Sequence, residues 1–285
     1  MTDRTGEHGW EDWTWDDTLF AGAARFYEQG REPYAPELAD AFRQALSLDG
    51  SGRLLDVGCG PGSVALRLAG LFETVIGLDP DPGMLAEARR LAEQRRIANA
   101  VWVRLRAEDL PAGLGRFRVI TFAQSFHWMD RPRVAGLVRD MVEPGGAVVQ
   151  VDGSRPGPER HPRLLPCPAV PDRAIEDLRR RWLGVDRRAG QGLRNTSPGG
   201  EDEVFQAAGF RPAREIPVPD GRVLERTVEE IVANRLSTSG MAPHLFGDRL
   251  DEFTSELRAL LLEASPDGRF CVPLSDNRLR IWCPE

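Results

Sequence analysis

The residues best suited to chemistry sit in one short stretch. Glycines at 58, 60 and 62 follow the apolar run LLDV (54–57), and Asp56 stands two residues ahead of the first glycine. A second acid, Asp79, closes the run TVIGLD (74–79). Glycines at alternate positions suit a tight strand-to-helix turn that lets backbone approach a ligand closely. A dinucleotide fingerprint, G-x-G-x-x-G, needs a third glycine at position 63, where this chain has Ser63. Pro61 and Gly62 also leave fewer amides to wrap a pyrophosphate. The pattern therefore suits a ligand with a nucleoside and no diphosphate. Asp56 would face its ammonium, and Asp79 would accept from both ribose hydroxyls.

Such a turn works only if strands and helices hold it. LLDV (54–57), TVIGLD (74–79), AVWVRL (100–105), FRVITFA (117–123) and AVVQVD (147–152) read as strands, rich in β-branched residues and bounded by Gly, Pro or Asp. Between them the pattern turns helical. Val134, Leu137, Val138, Met141 and Val142 share one helix face, and Asp81 with Pro82 reads as an N-cap and first helical position. This alternation predicts an α/β fold: a doubly wound, mostly parallel, seven-stranded sheet covered on both faces. The expected units are an N-terminal helical cap (1–50), a Rossmann-like core (51–152), a helical insertion with one strand on the acceptor side (153–266), and a C-terminal hairpin completing the sheet (267–285). Helices are expected near 173–183, 227–236 and 248–264. The Gly-rich segment 184–200 reads as a lid or a plain loop.

Composition removes several functions. The net charge of −7 disfavours a nucleic-acid partner, because phosphate binding wants a basic face. All 37 basic side chains are Arg; without Lys there is no Schiff base and no phosphate-loop lysine. No apolar run is long enough to span a membrane, and the acidic, Trp-rich start EDWTWDD is unlike a signal peptide, so a cytoplasmic protein is expected. Cys59, Cys167, Cys271 and Cys283 form no C-x-x-C pair, so neither zinc nor a disulfide framework is suggested. Cys271 and Cys283 would face each other across the terminal hairpin, as ordinary buried thiols. No metal is expected, since only Asp130 lies near the end of the fourth strand.

Taken together, the motifs resemble those of class I S-adenosylmethionine-dependent methyltransferases. DVGCGPG (56–62) is similar to the family's first motif, and Asp79 to its acid after strand two. RAEDLP (106–111) resembles the segment after strand three, ITFAQSFHWMD (120–130) the one after strand four, and EPGGAVV (143–149) the turn into strand five. FYEQGREPYAPEL (26–38) resembles the cap of the small-molecule branch that includes trans-aconitate methyltransferase. The resemblance covers residues 18–152 well. It implies that Gly58, Gly60 and Gly62 approach the methionine moiety, with Asp56 supporting its ammonium. Asp79 would hold the ribose, Met84 would pack on adenine, and Ala107 and Glu108 would read the adenine edge. Gln124, Tyr27 and Arg31 complete the implied cofactor set. Many relatives have Asp where this chain has Arg106, so the contact to the adenine amino group falls to Glu108.

Other residues carry two readings each. Tyr27 and Tyr34, seven apart, are packing aromatics on one helix face or a lid over the sulfonium; the resemblance favours the lid. His127 is a general base for an acceptor hydroxyl, or it shapes the pocket with Phe126 and Trp128. His244 is a helix-end polar residue or an acceptor contact, whereas His8 and His161 read as bystanders. Arg179, Arg180 and Arg181 read as a solvated basic face, because consecutive helical residues diverge. The function implied is methyl transfer from S-adenosylmethionine to a small metabolite, giving S-adenosylhomocysteine, with oxygen the preferred acceptor atom and a carboxylate-bearing acceptor among the candidates. The alternatives are a methyltransferase-like protein that uses the cofactor for a non-methylating reaction such as a cyclisation, or a cofactor-sensing module.

Overall fold

The computed structural model describes residues 18–154, 165–184, 187–188, 192–193 and 200–285. His8, His161 and most of the 184–200 segment lie outside the described residues. In chain order the strands are β1 (Arg53–Val57), β2 (Thr74–Asp79), β3 (Ala100–Arg104), β4 (Phe117–Ala123), β5 (Val142–Ser154), the short β6 (Arg187–Arg188) and β7 (Gly192–Leu193), β8 (Arg214–Val218), β9 (Val223–Thr227), β10 (Arg269–Pro273) and β11 (Asp276–Trp282). The helices are α1 (Ala24–Gly30), α2 (Leu38–Leu46), α3 (Ala65–Leu68), α4 (Pro82–Gln94), α5 (Arg131–Met141), α6 (Asp172–Leu183), α7 (Glu201–Ala207), α8 (Val228–Leu236) and α9 (Leu250–Ala264).

Seven strands form one sheet in the order β3-β2-β1-β4-β5-β11-β8. The first five are parallel, and β11 runs antiparallel between β5 and β8. Side chains alternate between two cores, as a strand's period of two requires. Leu54, Val75 and Val119 point to one face and meet Leu38, Phe42 and Leu68. Leu55, Ile76 and Ile120 point to the other and meet Val134, Val138 and Met141 of α5. Each fully buried Leu or Ile contributes about 1.5–3 kcal/mol relative to an exposed one, so the near-continuous apolar runs favour a sheet covered on both sides. The doubly wound seven-stranded architecture is the one expected.

The expected helix signals are realised locally. The Asp81 carboxylate accepts from the amides of Gly83 and Met84, with Pro82 at the first helical position of α4. Thr227 and Glu230 form a reciprocal capping box at the start of α8. α6, α8 and α9 pack with Phe270 of β10 around a third core that holds Leu178, Ile231, Phe253 and Leu257. α1 crosses α8 at Gly30, where a β-carbon would stand 2.4 Å from the Ala233 carbonyl carbon. Asn234 Nδ2 donates to the Gly30 carbonyl there (2.9 Å).

Three expectations are corrected. The last two strands do not form a hairpin: β10 pairs with β9, while β11 enters the main sheet between β5 and β8. The reason is burial, since β10 feeds Phe270 to the third core and β11 feeds Leu279 and Ile281 to the main one. Cys271 therefore cannot face Cys283. It forms a disulfide with Cys167, 104 residues away, with α-carbons 5.3 Å apart. The Cys271 amide donates to the Pro168 carbonyl beside it (2.9 Å), so the pairing follows from chain packing and not from spacing. Arg179 is buried and holds Glu176 through two hydrogen bonds of 2.9 and 2.7 Å, which removes it from any solvated face.

Candidate active site

β1 and β4 are neighbours, although two intervening strands lie on the far side of β1, so the strand order reverses between them. Open α/β sheets bind ligands in the crevice at such a point, outside the carboxyl ends of the strands. A cleft lies there, lined by residues from the N-terminal segment, the glycine turn and the ends of β2, β3 and β4. The glycine turn forms its floor. Gly58 has φ +68°, and a β-carbon on it would stand 2.7 Å from Ser125 Cβ and 3.0 Å from Met129 Cε. Only glycine fits there without displacing both. Gly60, at φ +54°, faces open space on the cleft side.

The amides of this turn are already committed. Gly58 and Cys59 donate to the Leu78 carbonyl (2.9 and 3.0 Å), and Gly62 donates to the Cys59 carbonyl (3.0 Å). The Gly60 amide donates to Asp79 Oδ2 (2.9 Å). With Pro61 lacking a donor, residues 58–62 form no anion cradle. The turn shapes the cleft and leaves recognition to side chains.

Those side chains are carboxylates. Asp56 is buried at the end of β1; Oδ1 accepts from Thr121 Oγ1 (2.8 Å) and Oδ2 from the Ala65 amide (3.2 Å). Asp79 accepts from Asp81 N through Oδ1 (2.9 Å) and from Gly60 N through Oδ2. Burial pushes both carboxyls up, each from 3.8 to about 6, against the lowering effect of these donors. Glu108 Oε1 accepts from the Asp130 amide (2.9 Å), while Oε2 lies 3.7 Å from Arg106 Nε. The substitution of Arg at 106 thus puts a cation beside the acid assigned to the adenine edge.

Of the candidates named from sequence, Asp56, Gly58, Gly60, Asp79, Met84, Ala107, Glu108, Gln124, Tyr27, Tyr34 and Trp128 line this one cleft. Five do not. Gly62 backs onto Trp102, whose Cη2 would be 2.6 Å from a β-carbon there. Arg31 lies over the Tyr27 ring (4.9 Å) and donates to the Ser237 carbonyl (2.9 Å). Residues 126–128 form one 3₁₀ turn, in which successive side chains diverge by about 120°. Trp128 takes the cleft. Phe126 goes into the core, stacked on Phe205 at 4.8 Å, and His127 is exposed at the surface. His244 sits behind the cap, with Nδ1 3.3 Å from the Ala21 carbonyl.

The tyrosines reach the cleft differently from a shared helix face. Tyr27 is on α1, which ends at Gly30, and Tyr34 lies on the extended segment beyond. That segment is clamped: Asn277 Oδ1 accepts from the Ala35 amide (2.6 Å), Arg67 donates to the Ala35 carbonyl (3.0 Å), and Arg222 donates to the Tyr34 carbonyl (3.2 Å). Burial raises the Tyr34 phenol well above its ordinary range, so it serves as a hydrogen-bond donor. Sequence reasoning missed Phe20, Arg106, Ser125 and Met129 as cleft residues. Arg106 was noticed only as a departure, and Phe20 lies in a turn with no periodic signal.

Comparison with known proteins bears on the same stretch. Residues 54–146 match the family described as methyltransferase domain. Over this stretch the chain is similar to class I S-adenosylmethionine-dependent methyltransferases. An uncharacterised methyltransferase of Mycobacterium tuberculosis is 32% identical to this chain over 136 residues, 48% of this chain and 52% of that protein. The ubiquinone biosynthesis O-methyltransferase of Acinetobacter baylyi is 32% identical over 98 residues, 34% of this chain and 41% of that one. The chain thus spans about half the length of the curated relatives it matches. Among solved structures, a methyltransferase from Geobacter sulfurreducens in complex with S-adenosylhomocysteine shares the fold, with a TM-score of 0.51, 14% identity, and 94% of this chain and 98% of that one covered. Among the described residues, no group of three or more His, Cys, Asp and Glu is placed to hold a metal ion, and no helix is long and apolar enough to cross a membrane.

Proposed function

We propose that this chain binds S-adenosylmethionine in the cleft and transfers its methyl group to a small-molecule acceptor, with oxygen as the acceptor atom. The observation that carries the reading is the convergence of Asp56, Asp79 and Glu108 on one cleft whose glycine turn has spent its own amides. A diphosphate finds no cradle there, whereas a nucleoside with an ammonium finds a carboxylate for each donor. Asp79 suits the ribose hydroxyls, Asp56 the ammonium, and Ala107 and Glu108 the adenine edge, with Met84 against the ring. The sulfonium, when bound, supplies an already activated methyl group. The protein's share is alignment of acceptor and donor, worth up to several orders of magnitude in rate. The likeness of residues in the core to an enzyme named as an O-methyltransferase supports oxygen as the acceptor atom.

Calorimetric titration with S-adenosylmethionine, S-adenosylhomocysteine and NAD tests the cofactor. Micromolar binding of the first two and none of the third is expected. Binding of NAD alone, or of none by folded protein freed of co-purified ligand, would reject the reading. Transfer of labelled methyl from the cofactor to a product in cell extract tests the chemistry.

A further inference from the structure

The cleft has two chemically different ends. Its charged side chains, Asp56, Asp79, Asp81, Glu108 and Arg106, gather at the ends of β1–β3. The other end lies between the N-terminal segment and the residues after β4, and is framed by Phe20, Tyr27, Tyr34, Gln124 and Trp128. Their polar atoms are phenol hydroxyls, a carboxamide and an indole N–H, all uncharged. The rings make a corner rather than a lump: Phe20 meets Trp128 edge-on, with centroids 5.6 Å apart and planes at 78°. Tyr34 is fixed there by the backbone clamp from Asn277, Arg67 and Arg222.

Resting on the assignment of the charged end to the cofactor, we propose that the uncharged end takes a neutral, flat aromatic acceptor bearing a phenol-type hydroxyl. Aromatic walls reward a flat ring by stacked and edge-on contacts. The charge of the cleft opposes the carboxylate-bearing acceptor considered from sequence. Four carboxylates face one guanidinium among the lining side chains, and Arg31 is turned away onto Tyr27 and the Ser237 carbonyl. Proton handling points the same way. No histidine is among the described residues lining the cleft, and Asp56 and Asp79 already accept hydrogen bonds through both oxygens. An aliphatic alcohol would need a base, whereas a phenol, with a pKa of about 10, is acidic enough to lose its proton to water as the carbon–oxygen bond forms. In the transfer the hydroxyl proton passes to water and the acceptor oxygen forms its bond to the methyl carbon. The carbon–sulfur bond breaks, with its electron pair staying on sulfur as a neutral thioether.

The test uses the full chain saturated with S-adenosylhomocysteine and two probes of one ring system, 2-naphthol and 6-hydroxy-2-naphthoate, titrated by calorimetry. The neutral probe should bind at least about tenfold more tightly, the factor that one unit charge gives at roughly 12 Å and an effective dielectric of about 20. Trp128→Ala should weaken 2-naphthol about tenfold, Trp128→Phe much less, and both should keep S-adenosylhomocysteine affinity within about threefold. Gln124→Arg, which sets a cation at the uncharged end, should move the ratio of the two probes about tenfold toward the naphthoate. Equal or preferred binding of the naphthoate by the unaltered chain, or no binding of 2-naphthol to the loaded protein, overturns the proposal. Failure of S-adenosylhomocysteine itself to bind is a separate result, which removes the cofactor reading and this inference with it.

Discussion

Lowering the pH from 7 to 5 should weaken S-adenosylhomocysteine binding about a hundredfold in the unaltered chain and about tenfold in Asp79→Asn. The magnitude comes from two carboxyls that burial holds at about 6. If only the ionised form accepts from the ligand, the apparent dissociation constant carries a factor of one plus the protonated-to-ionised ratio for each group. That factor is about 1.1 at pH 7 and about 11 at pH 5, hence about tenfold per carboxylate. Asp79→Asn removes one of the two factors. It also lowers affinity at pH 7 by about ten- to a hundredfold, because a neutral amide replaces a charged acceptor of two hydroxyls. Isothermal titration at four pH values between 5 and 7.5 gives both slopes. The stability of the free protein should run the other way. A folded-state carboxyl raised from 3.8 to about 6 binds more protons than the unfolded chain across that window, so stability falls as pH rises through it. The loss is at most about 3 kcal/mol per group and is complete about one unit above the folded-state value, at about pH 7. A dissociation constant that stays flat from pH 7.5 to 5, in protein shown to be folded throughout, would refute the assignment of these carboxylates to the ligand.

Other perturbations test the frame and the exclusions. Gly58→Ala forces a β-carbon against Ser125 and Met129 at a positive φ, and should cost about 2–4 kcal/mol in chemical denaturation while abolishing cofactor binding. Reducing the Cys167–Cys271 disulfide opens a 104-residue loop and should lower stability by about 2–4 kcal/mol, seen as a reductant-dependent drop in melting temperature that Cys167→Ser abolishes. His127→Ala should leave methyl transfer within about twofold, because the 3₁₀ turn sends that ring to the surface; a hundredfold loss in kcat would restore it as the base.

How much of this was legible before the structure depended on whether a feature was local. The β1 turn, the Asp81–Pro82 cap and the α5 face were readable because their partners lie within a few residues and follow fixed periods. Asp56, Asp79 and Glu108 were readable because each ends or follows a strand whose pattern is unambiguous. His127 and Phe126 were misplaced because the sequence around them shows a strand ending and a helix starting, but not the single tight turn between. In that turn only one of three neighbouring side chains can face the cleft. The terminal hairpin failed for a different reason: alternation identifies a strand, and it does not say which sheet will bury its apolar face.

The least legible feature is the one on which the acceptor end depends. The backbone carrying Tyr27 and Tyr34 is held by Arg67 and, for the most part, by side chains from the far half of the chain. Arg226 donates to the Gln29 and Arg31 carbonyls (2.8 and 3.0 Å), Asn234 to Gly30, Arg222 to Tyr34, and Asn277 accepts from Ala35. These partners lie 188–242 residues apart in sequence, so no spacing within the N-terminal segment betrays them. Hydrogen bonds to a charged donor are worth about 1.5–3 kcal/mol each, which makes the clamp comparable to the net stability of a domain. The two tyrosines therefore depend energetically on the insertion and on β11, although the chain supplies them first. Variation there reaches the Tyr27–Tyr34 wall of the cleft without touching Asp56, Asp79 and Glu108, which stand on β1, β2 and the turn after β3. On the proposed assignment, acceptor choice and cofactor choice are carried by separate parts of one cleft.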